Sequence, residues 1–134
     1  MKVVIDTNVL VSGVFFGGLP GRILEAWRDS KLTLLVSPGI LDEYYRMGRL
    51  LAGRYEGVEV EPVLALLAVY AEVVDARDLP EGLCQDPDDD KFMACALAGD
   101  ARIVVSGDKR LRSVSGWRGI AVLSPRAFVD RHLR

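Results

Sequence analysis

Short apolar runs alternate along the chain with segments in which apolar residues recur every three or four positions. The runs, rich in β-branched and aliphatic residues, predict strands at 2–5, 33–36, 72–75, 102–105 and 120–123. Between them lie helical patterns. Ser37 and Pro38 open one well, a capping hydroxyl followed by a first-turn proline, and Ile40, Leu41, Tyr44, Met47 and Leu51 carry it forward. Pro62 opens another through Val63, Leu64, Leu66, Leu67 and Tyr70. A third starts within 86–90 and runs through Phe92, Met93, Ala96 and Leu97 to a stop at Gly99. Residues 20–30 and 125–133 read as further helices, and 53–57 as a loop. Strands alternating with helices predict an α/β domain with a mainly parallel sheet.

One interruption stands out. The first strand ends abruptly at Asp6, Thr7 and Asn8, and apolar residues then resume. In an open α/β sheet, sites form beyond the carboxyl ends of the strands. Asp6 follows the first strand directly, and Asp108 follows the fourth strand and a Ser-Gly turn, so parallel strands would bring both to one edge. On the helix opened by Pro38, the apolar face centres near Ile40, Tyr44, Met47 and Leu51. Asp42 lies opposite that face and Glu43 at its margin, either as a surface group or as a site residue. The stretch "QDPDDDKF" sets Asp86, Asp88, Asp89 and Asp90 at a helix start, where one or two acids suffice for capping. Asp90 shares a face with Met93, Ala94 and Leu97, while Asp89 lies over Phe92 and Met93; periodicity alone leaves the choice between them open.

Composition sets the bounds. At 134 residues, half of them hydrophobic and 27% charged, the chain is expected to form one folded domain over 1–134. Asp6 interrupts the N-terminal apolar stretch too early for a secretory signal, no apolar run has the length of a membrane span, and two cysteines do not make a disulfide framework; a reduced, cytoplasmic setting is expected. The net charge of −2 hides an asymmetry: residues 101–134 carry eight Lys/Arg against two acids, and the rest of the chain is correspondingly acidic. A basic flank beside an acidic centre suits a polyanion held near metal ions. Carboxylates that converge repel strongly unless cations or protons neutralise them. An all-oxygen set without His or Cys favours Mg²⁺ or Mn²⁺ over zinc, and such ions promote phosphodiester hydrolysis.

With these residues in order, "VVIDTNVLVSG", "SPGILDEYYR", "DPDDDKFMACALAGDARIVVSGDKRL" and "VLSPRAFV", the chain resembles the PIN-domain nucleases, and within them the toxin–antitoxin branch related to VapC-type toxins. The resemblance implies a three-layer α/β/α domain with a central, mainly parallel, four- or five-stranded sheet. It implies a Mg²⁺- or Mn²⁺-dependent endoribonuclease whose catalytic and metal-holding acids are Asp6, Glu43, Asp90 and Asp108, and it settles Asp90 over Asp89. Asn8 and Ser106 match polar partners that orient the acids, Thr7 caps the turn after the strand, and Asp86 is a further supporting acid. An RNA substrate, a cognate antitoxin protein and a homodimer follow from the same resemblance, with Tyr44, Tyr45, Leu50 and Leu51 suited to an interface.

Lys109, Arg110 and Arg112 follow Asp108 and either face solvent or contact RNA phosphates, and Tyr45 and Trp117 either pack in the core or an interface or stack on a base. His132 is read as a surface residue with no role. A HAD-like phosphatase also opens with a strand and an Asp, but needs a second acid where this chain has Asn8 and a hydroxyl residue where it has Leu10. A receiver domain would show adjacent acids at the first strand, and none are there. A catalytically idle PIN-like binding module is the remaining alternative; the intact acid set argues against it.

Overall fold

The computed structural model describes residues 1–79 and 82–133. Five strands, β1 (Lys2–Ile5), β2 (Thr33–Val36), β3 (Glu72–Val73), β4 (Ile103–Val105) and β5 (Ala121–Leu123), form one sheet in the order β3-β2-β1-β4-β5. Every pairing is parallel, with Val4 opposite Val104 and Ile5 opposite Val105 at the centre. Successive side chains on a strand face opposite sides of the sheet. Val3, Val4 and Ile5 are all fully buried, so both faces of β1 are covered, as a three-layer domain requires.

Among the described residues, α1 (Thr7–Phe15), α2 (Gly18–Arg28), α3 (Pro38–Ala52), α4 (Glu61–Tyr70), α5 (Asp90–Ala98) and α6 (Lys109–Arg112) lie in the connections between strands, and α7 (Pro125–His132) follows β5. α5 packs across β1, β2 and β4, α1 packs on α2 and α3, and α7 packs on β5 and α2. Gly17 and Gly18, at φ +72° and +62°, turn the chain by 93° between α1 and α2 in a conformation open to glycine and costly for most side chains. The α3 start is as expected, with Ser37 Oγ accepting from the Ile40 N–H at 3.3 Å. Gly48 lets α3 approach Val60 closely: a Cβ there would stand 3.0 Å from a Val60 methyl.

Two readings change. The segment after Asp6 is a helix, α1, which the sequence pattern did not predict. Tyr44 belongs to the core, not to an interface: it is fully buried, and its hydroxyl donates to the Ile5 carbonyl. Burial and the nearby Asp6 charge push its phenol well above the ordinary tyrosine range. Leu50, by contrast, is half exposed. Among the described residues, no single helix is long and apolar enough to cross a membrane. Cys84 and Cys95 are buried free thiols, each pushed up to about 12 by burial first, which disfavours the reactive thiolate.

Candidate active site

The strand order reverses direction between β1 and β4, because the chain winds one way from β1 to β3 and the other way from β4 to β5. A crevice forms outside the carboxyl ends of the two strands at such a point. Asp6 and Ser106 are the first residues beyond those ends, and both still continue the sheet ladders: the Asp6 N–H donates to the Val105 carbonyl at 3.0 Å and the Ser106 N–H to the Leu123 carbonyl at 2.9 Å.

Asp6 is 6% exposed. One carboxylate oxygen caps α1, accepting from the Val9 N–H at 2.9 Å; the other accepts from the Ser106 hydroxyl. Ser106 is fully buried and its oxygen also accepts from the Asp108 N–H at 3.0 Å, so one hydroxyl fixes two acids. Burial raises the Asp6 carboxyl above its ordinary range, the Ser106 and Val9 bonds oppose this, and the charges of Asp108 and Glu43 add to it. Asp108 is held the other way: the Arg110 N–H bonds it at 2.9 Å, the Arg110 guanidinium lies 3.3 Å from its second oxygen, and its carboxyl is lowered.

Glu43 reaches the rim from the second turn of α3. The buried Thr7 hydroxyl donates to one of its oxygens, and the Lys91 ammonium lies 2.7 Å from the other. Thr7 is therefore the hydroxyl that orients this acid. Asn8 is not an orienting partner: it is exposed on the outer side of α1, and among the described residues it bonds none of the acids.

The acid cluster before α5 also requires a correction. Asp90 turns away from the crevice, its two oxygens accepting from the Cys84 N–H at 2.7 Å and the Leu83 N–H at 3.3 Å, so that it ties down the preceding loop. Asp89 takes its place. Burial pushes the Asp89 carboxyl up to about 6, and the charges of Asp86, Asp108 and Asp6 reinforce the shift. Asp86 caps the single 3₁₀ turn Pro87–Asp89 through the Asp88 N–H at 3.0 Å, which sets Asp89 in position. Asp6 thus feels the charges of Asp108 and Glu43, and Asp89 those of Asp86, Asp108 and Asp6, as acids along one rim of the sheet do.

Among the described residues, no three His, Cys, Asp or Glu side chains are grouped as a metal site. The acids stand apart, and Asp6, Glu43 and Asp108 are each held by an N–H, a hydroxyl or a cation. The donor set fits a hard divalent cation: it is all oxygen, two members carry raised carboxyls that gain from a positive charge, and each bound oxygen keeps a second lone pair. Lys91 and Arg46, which stand 2.7 Å and 3.7 Å from Glu43, carried no sequence signal beyond their charge.

Of the expected RNA contacts, Arg110 pairs with Asp108, Arg112 donates to the Ser106 carbonyl at 3.2 Å, and Lys109 is exposed. Arg112 is thus a brace for the turn. Trp117 precedes β5 and so lies at the opposite rim, half-buried, which removes it from base stacking at this site. Tyr45 is half-buried under the Arg49 guanidinium. His132 is exposed, beside the Phe128 ring.

The raised acids predict a pH effect on the metal-free protein. A carboxyl whose folded pKa lies above its unfolded value adds stability below the unfolded value, near 3.8 for Asp89, and loses it as pH rises through about 6. Asp89→Asn stays neutral throughout. In chelator, the melting temperature of wild type is expected to fall relative to Asp89→Asn between pH 5 and pH 7. Parallel melting curves across that window would show that Asp89 is an ordinary surface acid.

A PIN domain family model matches residues 2–110. The uncharacterized protein MJ1680 of Methanocaldococcus jannaschii is 34% identical over 118 residues, covering 85% of this chain and 75% of the relative. The fold resembles that in the crystal structure of VapBC2 from Rickettsia felis bound to a DNA fragment from their promoter, with a TM-score of 0.58 at 14% identity, covering 92% of this chain and 98% of that one.

Proposed function

Because this chain belongs to the PIN-domain family, we propose that it is a metal-dependent endoribonuclease, the toxin of a toxin–antitoxin pair acting in the cytoplasm. The observation that carries this reading is the buried Asp6, fixed by Ser106 at the reversal of strand order, with the charges of Glu43 and Asp108 acting on Asp6 and those of Asp6 and Asp108 acting on Asp89. A bound Mg²⁺ or Mn²⁺ would supply a polarised water and stabilise charge developing on the phosphate.

The chain's own residues do the rest. Asp6 and Asp89 are the principal metal-holding acids, and Asp108 and Glu43 complete the set. Ser106 and Thr7 keep Asp6 and Glu43 aimed by each donating to one carboxylate oxygen. Lys109 and Arg110 follow Asp108 and would meet a phosphate brought to it. The fold shared with a chain of a VapBC complex supports a cognate antitoxin as partner, and exposed Leu50 supports a homodimer contact on α3.

The test is incubation of the purified chain with a total RNA pool in Mn²⁺, Mg²⁺ or chelator, with the fragment ends sequenced. Cleavage with either ion and none in chelator is expected. Intact RNA under all three conditions, from folded protein freed of any partner, favours the idle binding module instead.

A further inference from the structure

Lys91 sits in the first turn of α5, the end of a helix at which a positive charge is disfavoured by the aligned backbone dipoles. Its position is explained by a residue 48 places away. The ammonium lies 2.7 Å from a Glu43 oxygen, in an ion pair whose lysine is 25% exposed and whose glutamate is 15% exposed. The ammonium also lies 5.4 Å from the Phe92 ring centroid. Arg46 is 3.7 Å from the same oxygen but largely in solvent, so Lys91 is the closer and more buried of the two cations on Glu43.

We infer that Lys91 is a resident counter-cation for Glu43, competing with the divalent cation for that carboxylate. The inference rests on the metal-dependent reading above. A lysine ammonium and a divalent ion cannot share one carboxylate oxygen without strong repulsion. The flexible four-carbon stem lets the ammonium leave when the ion enters. In the metal-free protein the same pair holds Glu43 in place and offsets part of the repulsion among the acids.

Mn²⁺ binding, read from the loss of the free-ion signal in electron paramagnetic resonance, tests this on the intact chain without using activity. Lys91→Met is expected to bind Mn²⁺ about 3- to 10-fold more tightly than wild type, and Lys91→Arg to bind like wild type. A purely structural role predicts the reverse, because a loosened site holds the ion less well. Equal or weaker Mn²⁺ binding by a folded Lys91→Met protein overturns the inference and leaves the nuclease reading standing. Wild type that binds no Mn²⁺ removes both.

Discussion

Replacing Asp6 by Asn is expected to lower Mn²⁺-dependent RNA cleavage by about 10³-fold while raising the melting temperature at pH 7. The loss follows from the loss of an anionic ligand to a cation that contributes several kcal/mol to the transition state. The gain in stability follows from the environment of Asp6. Its carboxylate is buried, its pKa is raised, and Asp108 and Glu43 repel it. Asparagine keeps an oxygen to cap α1 through the Val9 N–H, and Ser106 accepts as readily as it donates. Steady-state cleavage and a thermal melt on one preparation check both halves. Unchanged cleavage would remove Asp6 from the mechanism, and a melting temperature that falls together with cleavage would mean that the fold, not the chemistry, had been damaged.

The second large effect separates two neighbours. Asp89→Asn is expected to reduce cleavage by about 10²- to 10³-fold, and Asp90→Asn to leave it within about threefold of wild type. The reason lies in where each carboxylate goes. Asp90 accepts from the Cys84 and Leu83 N–H groups, and Asn at 90 keeps one acceptor for the shorter of these, at a cost of about 1 kcal/mol in stability. Asp89 carries the raised carboxyl and shares its surroundings with Asp6 and Asp108. Cleavage assays with urea melts on both variants decide the matter; a silent Asp89→Asn beside a dead Asp90→Asn would reverse the assignment.

That assignment also shows where the sequence stops being informative. A helical wheel carried back from α5 assumes 3.6 residues per turn, but Pro87–Asp89 form a 3₁₀ turn with 3.0, so the directions of the acids before α5 do not follow from its periodicity. The loop N–H groups that occupy Asp90 come from residues 83 and 84, and no local pattern announces them. α1 escaped notice for a different reason. Val9, Val11 and Val14 are β-branched, Gly13 favours no helix, and apolar residues occupy nearly every side, leaving neither propensity nor periodicity to read. Burial against α2 and α3 overrides both.

What was legible rested on strong local signals. β1 and β2 have the expected bounds, Ser37 and Pro38 start α3, and Gly99 ends α5. Asp6 and Asp108 share an edge because the strands before them are parallel neighbours. Glu43, at the margin of an amphipathic face, proves half-buried with both oxygens engaged, while Asp42 is exposed as its place on the wheel requires. The role given to Asn8 fails because it lies one residue past the buried Thr7, on the solvent side of the new helix.

On the proposed reading, acids from four separate elements serve one divalent cation at the reversal of strand order. Anomalous diffraction from crystals grown in Mn²⁺ locates that ion. A peak among the Asp6, Glu43, Asp89 and Asp108 carboxylates is expected; a peak held by Asp90, or Mn²⁺ bound only at another surface, would rule the arrangement out.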